Sequence, residues 1–220
     1  MSHLGTSSDN ATAKYYAEAT RKRLAESLGR KPSLEYTQAS LMLGFHEWTE
    51  LQGQMGWVKI HTAIGCATAL GCQNDAILDA KMNAALKNTD DESVKADMLI
   101  DREIQRRTFW SCYIMDRYVS CGSARPEMLS DAKMDAVQLP CSDSAFNHGR
   151  KVRTRRLGED DITYEKRRSR VRCERGQTWD SSADDIEWEY GKDEGELSLY
   201  IQAVHHFGHV MKWSCAGGRR

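Results

Sequence analysis

Proline is almost missing: Pro32, Pro126 and Pro140 are the only three in 220 residues, so long helices meet few interruptions. The usual core formers are scarce too. Leu, Ile, Val and Phe make up about 17 % of the chain, low enough to expect a portion that builds no core. No apolar run approaches the roughly 20 residues needed to cross a bilayer. The opening MSHLGTSSDNATAK has neither the basic start nor the apolar stretch of a secretory signal. An excess of one charge is also lacking: 31 Lys and Arg face 32 Asp and Glu, a formal net charge of -1. That balance argues against whole-molecule attraction to nucleic acid or anionic membrane. The expectation is a soluble intracellular chain of one domain, or one domain carrying a long flexible insertion.

Paired cysteines are lacking as well. Cys66, Cys72, Cys112, Cys121, Cys141, Cys173 and Cys215 are odd in number and scattered, with no C-x-x-C among them. Neither a disulfide framework nor a structural zinc site suits that spacing, and reduced, mostly buried thiols are the expectation. No glycine-rich phosphate loop and no G-x-S-x-G nucleophile elbow occurs. No residue is therefore assigned a catalytic role, no cofactor site is identified, and an enzyme is not expected.

What is present is helical periodicity. Residues 13–29 read as a helix with Tyr16, Ala19, Leu24 and Leu28 on one face, closed by Gly29. Leu34, Gln38, Leu41, Phe45 and Trp48 recur every three or four residues. Gly53 and Gly56 break the pattern, and Trp57, Ile60, Ile64, Ala67 and Leu70 restart it up to Gly71. This is the signature of an antiparallel helical hairpin. A further helix is possible over 76–86. From Asp101 to Ser120 the apolar arc widens to include Ile104, Thr108, Phe109, Trp110, Tyr113, Met115 and Val119, which predicts a central helix buried on more than one side. The fold class is all-α, a bundle of antiparallel helix pairs.

Beyond residue 149 the character changes. Residues 150–175 hold 11 basic against 5 acidic side chains, and 180–196 hold eight acids against one lysine. So few apolar residues predict a mobile charged insertion over 150–194. Leu197, Tyr200, Ile201, Val204, Phe207 and Met211 then form a last helix that docks on the bundle. The organisation is thus a disordered 1–12, a helical domain over 13–149, the insertion, and a continuation over 195–220. Because nothing after the last helix completes a core, the chain reads as a cut piece.

Two clusters invite a functional reading. His205 and His209 lie four apart on one helix face beside His206, a spacing that can hold zinc. The H-E-x-x-H glutamate is missing and no third ligand is indicated, so surface or core histidines are the expectation and no metal site is assigned. The run from Glu165 through Lys166, Arg167, Arg168 and Arg170 to Arg172 suits phosphates or nuclear import. A solvated helix neutralising the acids behind it is the favoured alternative.

The stretch Glu103 to Ser120 resembles the signature helix of the fungal-specific transcription factor domain, the middle homology region of zinc binuclear cluster transcription factors. Arg106, Arg107, Phe109, Trp110, Tyr113, Asp116, Arg117 and Ser120 match its pattern in order, followed by Gly122, Arg125-Pro126 and Leu139-Pro140. Upstream, Tyr15-Tyr16, Pro32–Ala39 and Trp57–Gly71 are similar to its earlier helices, so the resemblance covers about 15–156 and again 194–220. It implies a helical regulatory module acting in the nucleus through protein partners or a homodimer, with a small-molecule effector possible in principle. The signature residues are expected to be structural, with some of Arg106, Arg107, Asp116 and Arg117 in ion pairs that fix neighbouring helices. Members usually carry an N-terminal cluster of six closely spaced cysteines, whose helix reads the major groove. That spacing is missing from these residues, so zinc and DNA contact are expected only of such a cluster. The alternative is a cluster-free interaction protein that binds partners of related regulators without touching DNA.

Overall fold

A computed structural model describes residues 7–27, 29–121, 125–134, 137–176, 187–189 and 194–218, with side chains left out for 7–10 and 171–176. Among them the architecture is helical. The elements are α1 (Ser7–Glu26), α2 (Leu34–Thr49), α3 (Gly53–Ala69), α4 (Asp75–Leu86), α5 (Glu92–Val119), α6 (Asp131–Met134), α7 (Asp143–Asn147), β1 (Val152–Arg153), α8 (Asp161–Gly176), β2 (Glu187–Trp188) and α9 (Glu196–Cys215). No described helix is long and apolar enough to cross a membrane.

The predicted hairpin is α2 against α3. Ser33 caps α2 by accepting the Tyr36 amide at 3.2 Å. The turn is made by Leu51, exposed and left-handed at φ 62°, and not by the glycines expected to break the pattern. Gly53 opens α3 and Gly56 lies inside it. The two helices approach until a Cβ on Gly44 would sit 2.7 Å from Ile60 Cγ1, and one on Gly56 would sit 2.9 Å from the Gly44 carbonyl. These glycines are contact points between backbones, which is why they stand in helices where glycine is otherwise unfavourable.

Helix α5 is the central element. Asp91 caps it through the Ser93 amide, so the helix starts at Glu92, nine residues before the start expected at Asp101. Its buried residues surround its C-terminal half: Phe109, Trp110, Cys112, Tyr113, Met115 and Val119 join Ile60, Ile64, Met134, Val137, Leu139 and Ile201 in one core. The Trp110 indole donates to the Gln138 carbonyl at 2.8 Å, tying the core to the extended piece before Pro140. Helix α9 docks through Ile201 and Val204, as its periodicity predicts. On α1, Leu24 is buried, whereas Tyr16 is 64 % exposed and does not face the core. Leu28 lies outside the described residues.

Part of the segment read as an insertion is packed. Leu157, Thr154, Tyr164 and Glu189 are buried. β1 and β2 pair in parallel, Val152 with Glu187 and Arg153 with Trp188, and the Tyr164 hydroxyl donates to the Glu189 carbonyl. Composition misses this because the anchors are few, large and partly polar. Residues 177–186 and 190–193 lie outside the described set. Among the six described cysteines, Cys72, Cys112 and Cys141 are buried, Cys66 is half-buried, Cys121 and Cys215 are exposed, and all are free.

The close α2–α3 approach yields a test. Gly56→Ala should cost about 1–3 kcal/mol through overpacking against the α2 backbone. Gly65→Ala, where a Cβ meets nothing within 4 Å, should be neutral or stabilising by up to about 1 kcal/mol. Thermal unfolding of the two variants decides.

Candidate functional site

Two polar clusters sit on α5, one at each end of the signature sequence. At the N-terminal end, Arg102 pairs with Asp75 and reaches Asp79 at 3.2 Å. Arg106 reaches Asp75 at 3.3 Å and Glu103 at 2.6 Å. The carboxylates then hold backbone elsewhere: Asp75 accepts the Gln138 amide at 2.6 Å and Glu103 accepts the Cys141 amide at 2.9 Å. Arg107 completes the ring, donating to the Cys141 carbonyl at 3.0 Å and stacking 4.2 Å above Phe146. Burial opposes the Arg106 charge, but Glu103, Asp75 and Asp79 outweigh it and leave its pKa above the usual guanidinium value. Burial likewise pushes the Cys141 thiol up, with Glu103 adding to the effect, so it is not a reactive thiolate.

At the other end, Asp116 is fully buried and its carboxylate accepts the Met128 amide at 3.1 Å and the Leu129 amide at 2.9 Å. His61 Nε2 lies 3.2 Å from the same carboxylate. Arg117 donates to the Leu129 carbonyl at 2.7 Å, pairs with Asp131 at 2.8 Å and Glu127 at 3.0 Å, and lies over the Tyr113 ring at 4.3 Å. Together they fold the 125–131 loop back onto α5. Ser120 Oγ donates to the Pro126 carbonyl at 3.1 Å, so the Arg-Pro exit is fixed from the helix end; Gly122 lies outside the described residues. The ion pairs expected of Arg106, Arg107, Asp116 and Arg117 are therefore formed. Asp75 and Asp79 of α4 and Asp131 of α6 carry no periodic or motif signal and arrive from other elements.

Asp131 also changes the histidine cluster. His205 Nδ1 lies 3.6 Å and His209 Nε2 3.4 Å from its carboxylate oxygens. The Tyr113 hydroxyl is hydrogen-bonded to His205 Nδ1 at 2.9 Å, and burial lifts Tyr113 to a pKa of about 12. Burial lowers the His205 pKa, with Asp131 pulling the other way. Asp131 itself stays below the usual carboxylate range because Arg117 and then Lys212 outweigh its partial burial.

In the basic run, Arg167 is committed inward, to Glu159 and to the Thr154 carbonyl, both at 2.8 Å. Arg168 pairs with Glu165 at 3.5 Å on the exposed face, and Lys166 and Arg170 are exposed. A cavity of about 50 Å³ beside the first cluster, lined by Arg102, Arg106, Glu103, Cys141 and Arg150 among others, has room for a few waters at most. Drug-sized ligands occupy about 300–1,000 Å³.

Asp116→Ala would leave the buried Met128 and Leu129 amides without their acceptor and take from Arg117 one of its carboxylates, 3.3 Å away. The expected loss is about 3–5 kcal/mol, read as a fall in the denaturant midpoint, whereas Arg168→Ala on the exposed face should change stability by less than about 0.5 kcal/mol.

The Zn(2)-C6 fungal-type transcription factor FTF2 of Fusarium oxysporum f. sp. lycopersici is 35 % identical over 109 residues, 50 % of this chain and 9 % of its own length. FTF1c of the same fungus is 32 % identical over 126 residues, 57 % of this chain and 13 % of its own. A transcriptional regulatory protein of Schizosaccharomyces pombe is 32 % identical over 134 residues, 60 % of this chain and 13 % of its own. The chain thus spans roughly a tenth of the length of the curated relatives it matches, at 9 to 13 %. No solved structure matches. The model of the fungal specific transcription factor domain matches residues 1–176, so the match includes α5 and runs on through α8. On that match, the chain belongs to the fungal specific transcription factor domain family.

Proposed function

We propose that this chain is a regulatory region of a fungal transcription factor that acts in the nucleus through protein partners and does not itself contact DNA. One observation carries the reading: the arginines of α5 are spent inside the fold. Arg102, Arg106 and Arg117 are buried among carboxylates, and Arg107 is held between Glu103, Asp143 and the Cys141 carbonyl. Phosphate recognition needs Lys and Arg free to displace counterions, and a side chain locked to a buried carboxylate is not free. In the basic run, Arg167 is likewise turned inward.

An aromatic strip supports the protein-partner element and equally favours the cluster-free interaction protein. Phe45 stacks on Trp48 at 6.4 Å, Trp48 on Tyr118 at 6.2 Å, and Tyr118 meets Phe207 at 6.0 Å, crossing α2, α5 and α9. Phe45 is 49 % exposed, Tyr200 47 % and Phe207 39 %. Aromatics so placed are the residue types that anchor protein interfaces. Catalysis has no part in the reading, since the polar clusters of α5 are internal ion pairs.

The test is fluorescence anisotropy of the chain with labelled duplex DNA, titrated at about 50 mM and 150 mM salt. Any association should be weak, indifferent to sequence and lost at the higher salt. Sequence-selective binding tighter than about 1 µM at the higher salt would overturn the reading.

A further inference from the structure

We propose that His205 and His209 of α9, with Asp131 at the start of α6, form a binding site for a zinc-class divalent transition-metal ion that ties α9 to the loop leaving α5. The ligand atoms of the three residues lie within 4.8 Å of one another. Zinc bonds of about 2.0–2.2 Å in tetrahedral array hold neighbouring ligand atoms roughly 3.3–3.5 Å apart. His209 Nε2 stands 3.4 Å from Asp131 Oδ2 and His205 Nδ1 3.6 Å from the other oxygen, Oδ1, so the carboxylate must turn, or use both oxygens, to meet an ion shared by the two imidazoles. The imidazoles meet edge to face with ring centres 4.5 Å apart, as expected of neighbours one helical turn apart.

The surroundings suit the ion. Arg117 holds Asp131 Oδ1 at 2.8 Å and orients the carboxylate, leaving Oδ2 toward His209. Tyr113, which bonds His205 Nδ1, has a second acceptor at 3.4 Å in Asp131 Oδ1 and can turn to it when the nitrogen takes a metal. Two cations compete for Asp131: Arg117, 2.8 Å from Oδ1, and Lys212, 3.8 Å from Oδ2, whose ammonium is half exposed and held by Glu127 at 2.6 Å. His209 is 54 % exposed, so water has access to a fourth position. Two imidazoles and one carboxylate favour zinc over magnesium or calcium, which take oxygen ligands.

The experiment uses the full chain, stripped with chelator, in thermal unfolding with ZnCl2 or MgCl2 and in a Co2+ titration followed in the visible. Zinc at about 100-fold its Kd should raise Tm by roughly 5 to 10 °C while magnesium does nothing. Co2+ should give a one-to-one tetrahedral spectrum without thiolate charge transfer. His209→Gln, at a half-exposed position that leaves the fold intact, should abolish both signals, and Cys121→Ser with Cys215→Ser should leave both unchanged. No zinc-dependent shift in the parent chain would overturn the proposal. So would a shift that survives His209→Gln, or one that disappears with the two cysteines.

Discussion

Charge buried on α5 and neutralised there by carboxylates of α5 itself and of other elements is the constraint on which the rest of the structure depends. Arg102, Arg106 and Arg117 could not be taken out of water singly, because an unpaired buried ion costs several kcal/mol. Each is matched instead by acids that also hold backbone: Asp75 the Gln138 amide, Glu103 the Cys141 amide, Asp116 the amides of Met128 and Leu129. The pairs therefore set geometry. They determine where the chain goes after α5, and so where Val137, Leu139 and the Trp110 acceptor at Gln138 come to lie.

Functional consequences follow from the same interactions. Guanidinium groups that organise the interior are withdrawn from the surface, and an aromatic strip crosses α2, α5 and α9. Helix α9 is held to the bundle by an apolar contact at Ile201 and Val204 and by a polar one, the Tyr113–His205 bond beside Asp131. Helix α9 and the loop after α5 meet at Asp131.

Much of the fold was legible in the sequence. The α2–α3 hairpin and the docking face of α9 follow from periodicity alone, and the wide apolar arc of α5 announces its central place. Local rules failed where tertiary contacts decide. Gly56 reads as a helix breaker, yet it serves close approach to the Gly44 carbonyl. The helix expected from Asp101 starts at Glu92, where the Asp91 cap fixes it. Split charge over 150–194 hides Leu157 and Tyr164, two anchors too few to shift composition. At the candidate site the histidine pair is visible by spacing, whereas Asp131, from α6, has no periodic or motif signal. The mutual ion pairs of α5 were readable only as charged residues on a helix otherwise built for burial; their partners Asp75 and Asp79 were not.

The central claim is that α5, with its internal ion pairs, is the element about which the described bundle is organised. Native-state hydrogen–deuterium exchange of the full chain measures this most directly, because protection ranks elements by the free energy of opening them. The account predicts that amides of residues 108–119 exchange slowest, through global unfolding, and that those of α1 and α8 exchange earlier. Amides of 108–119 exchanging as fast as those of α1, with the slowest protection confined to α2 and α3, would contradict it.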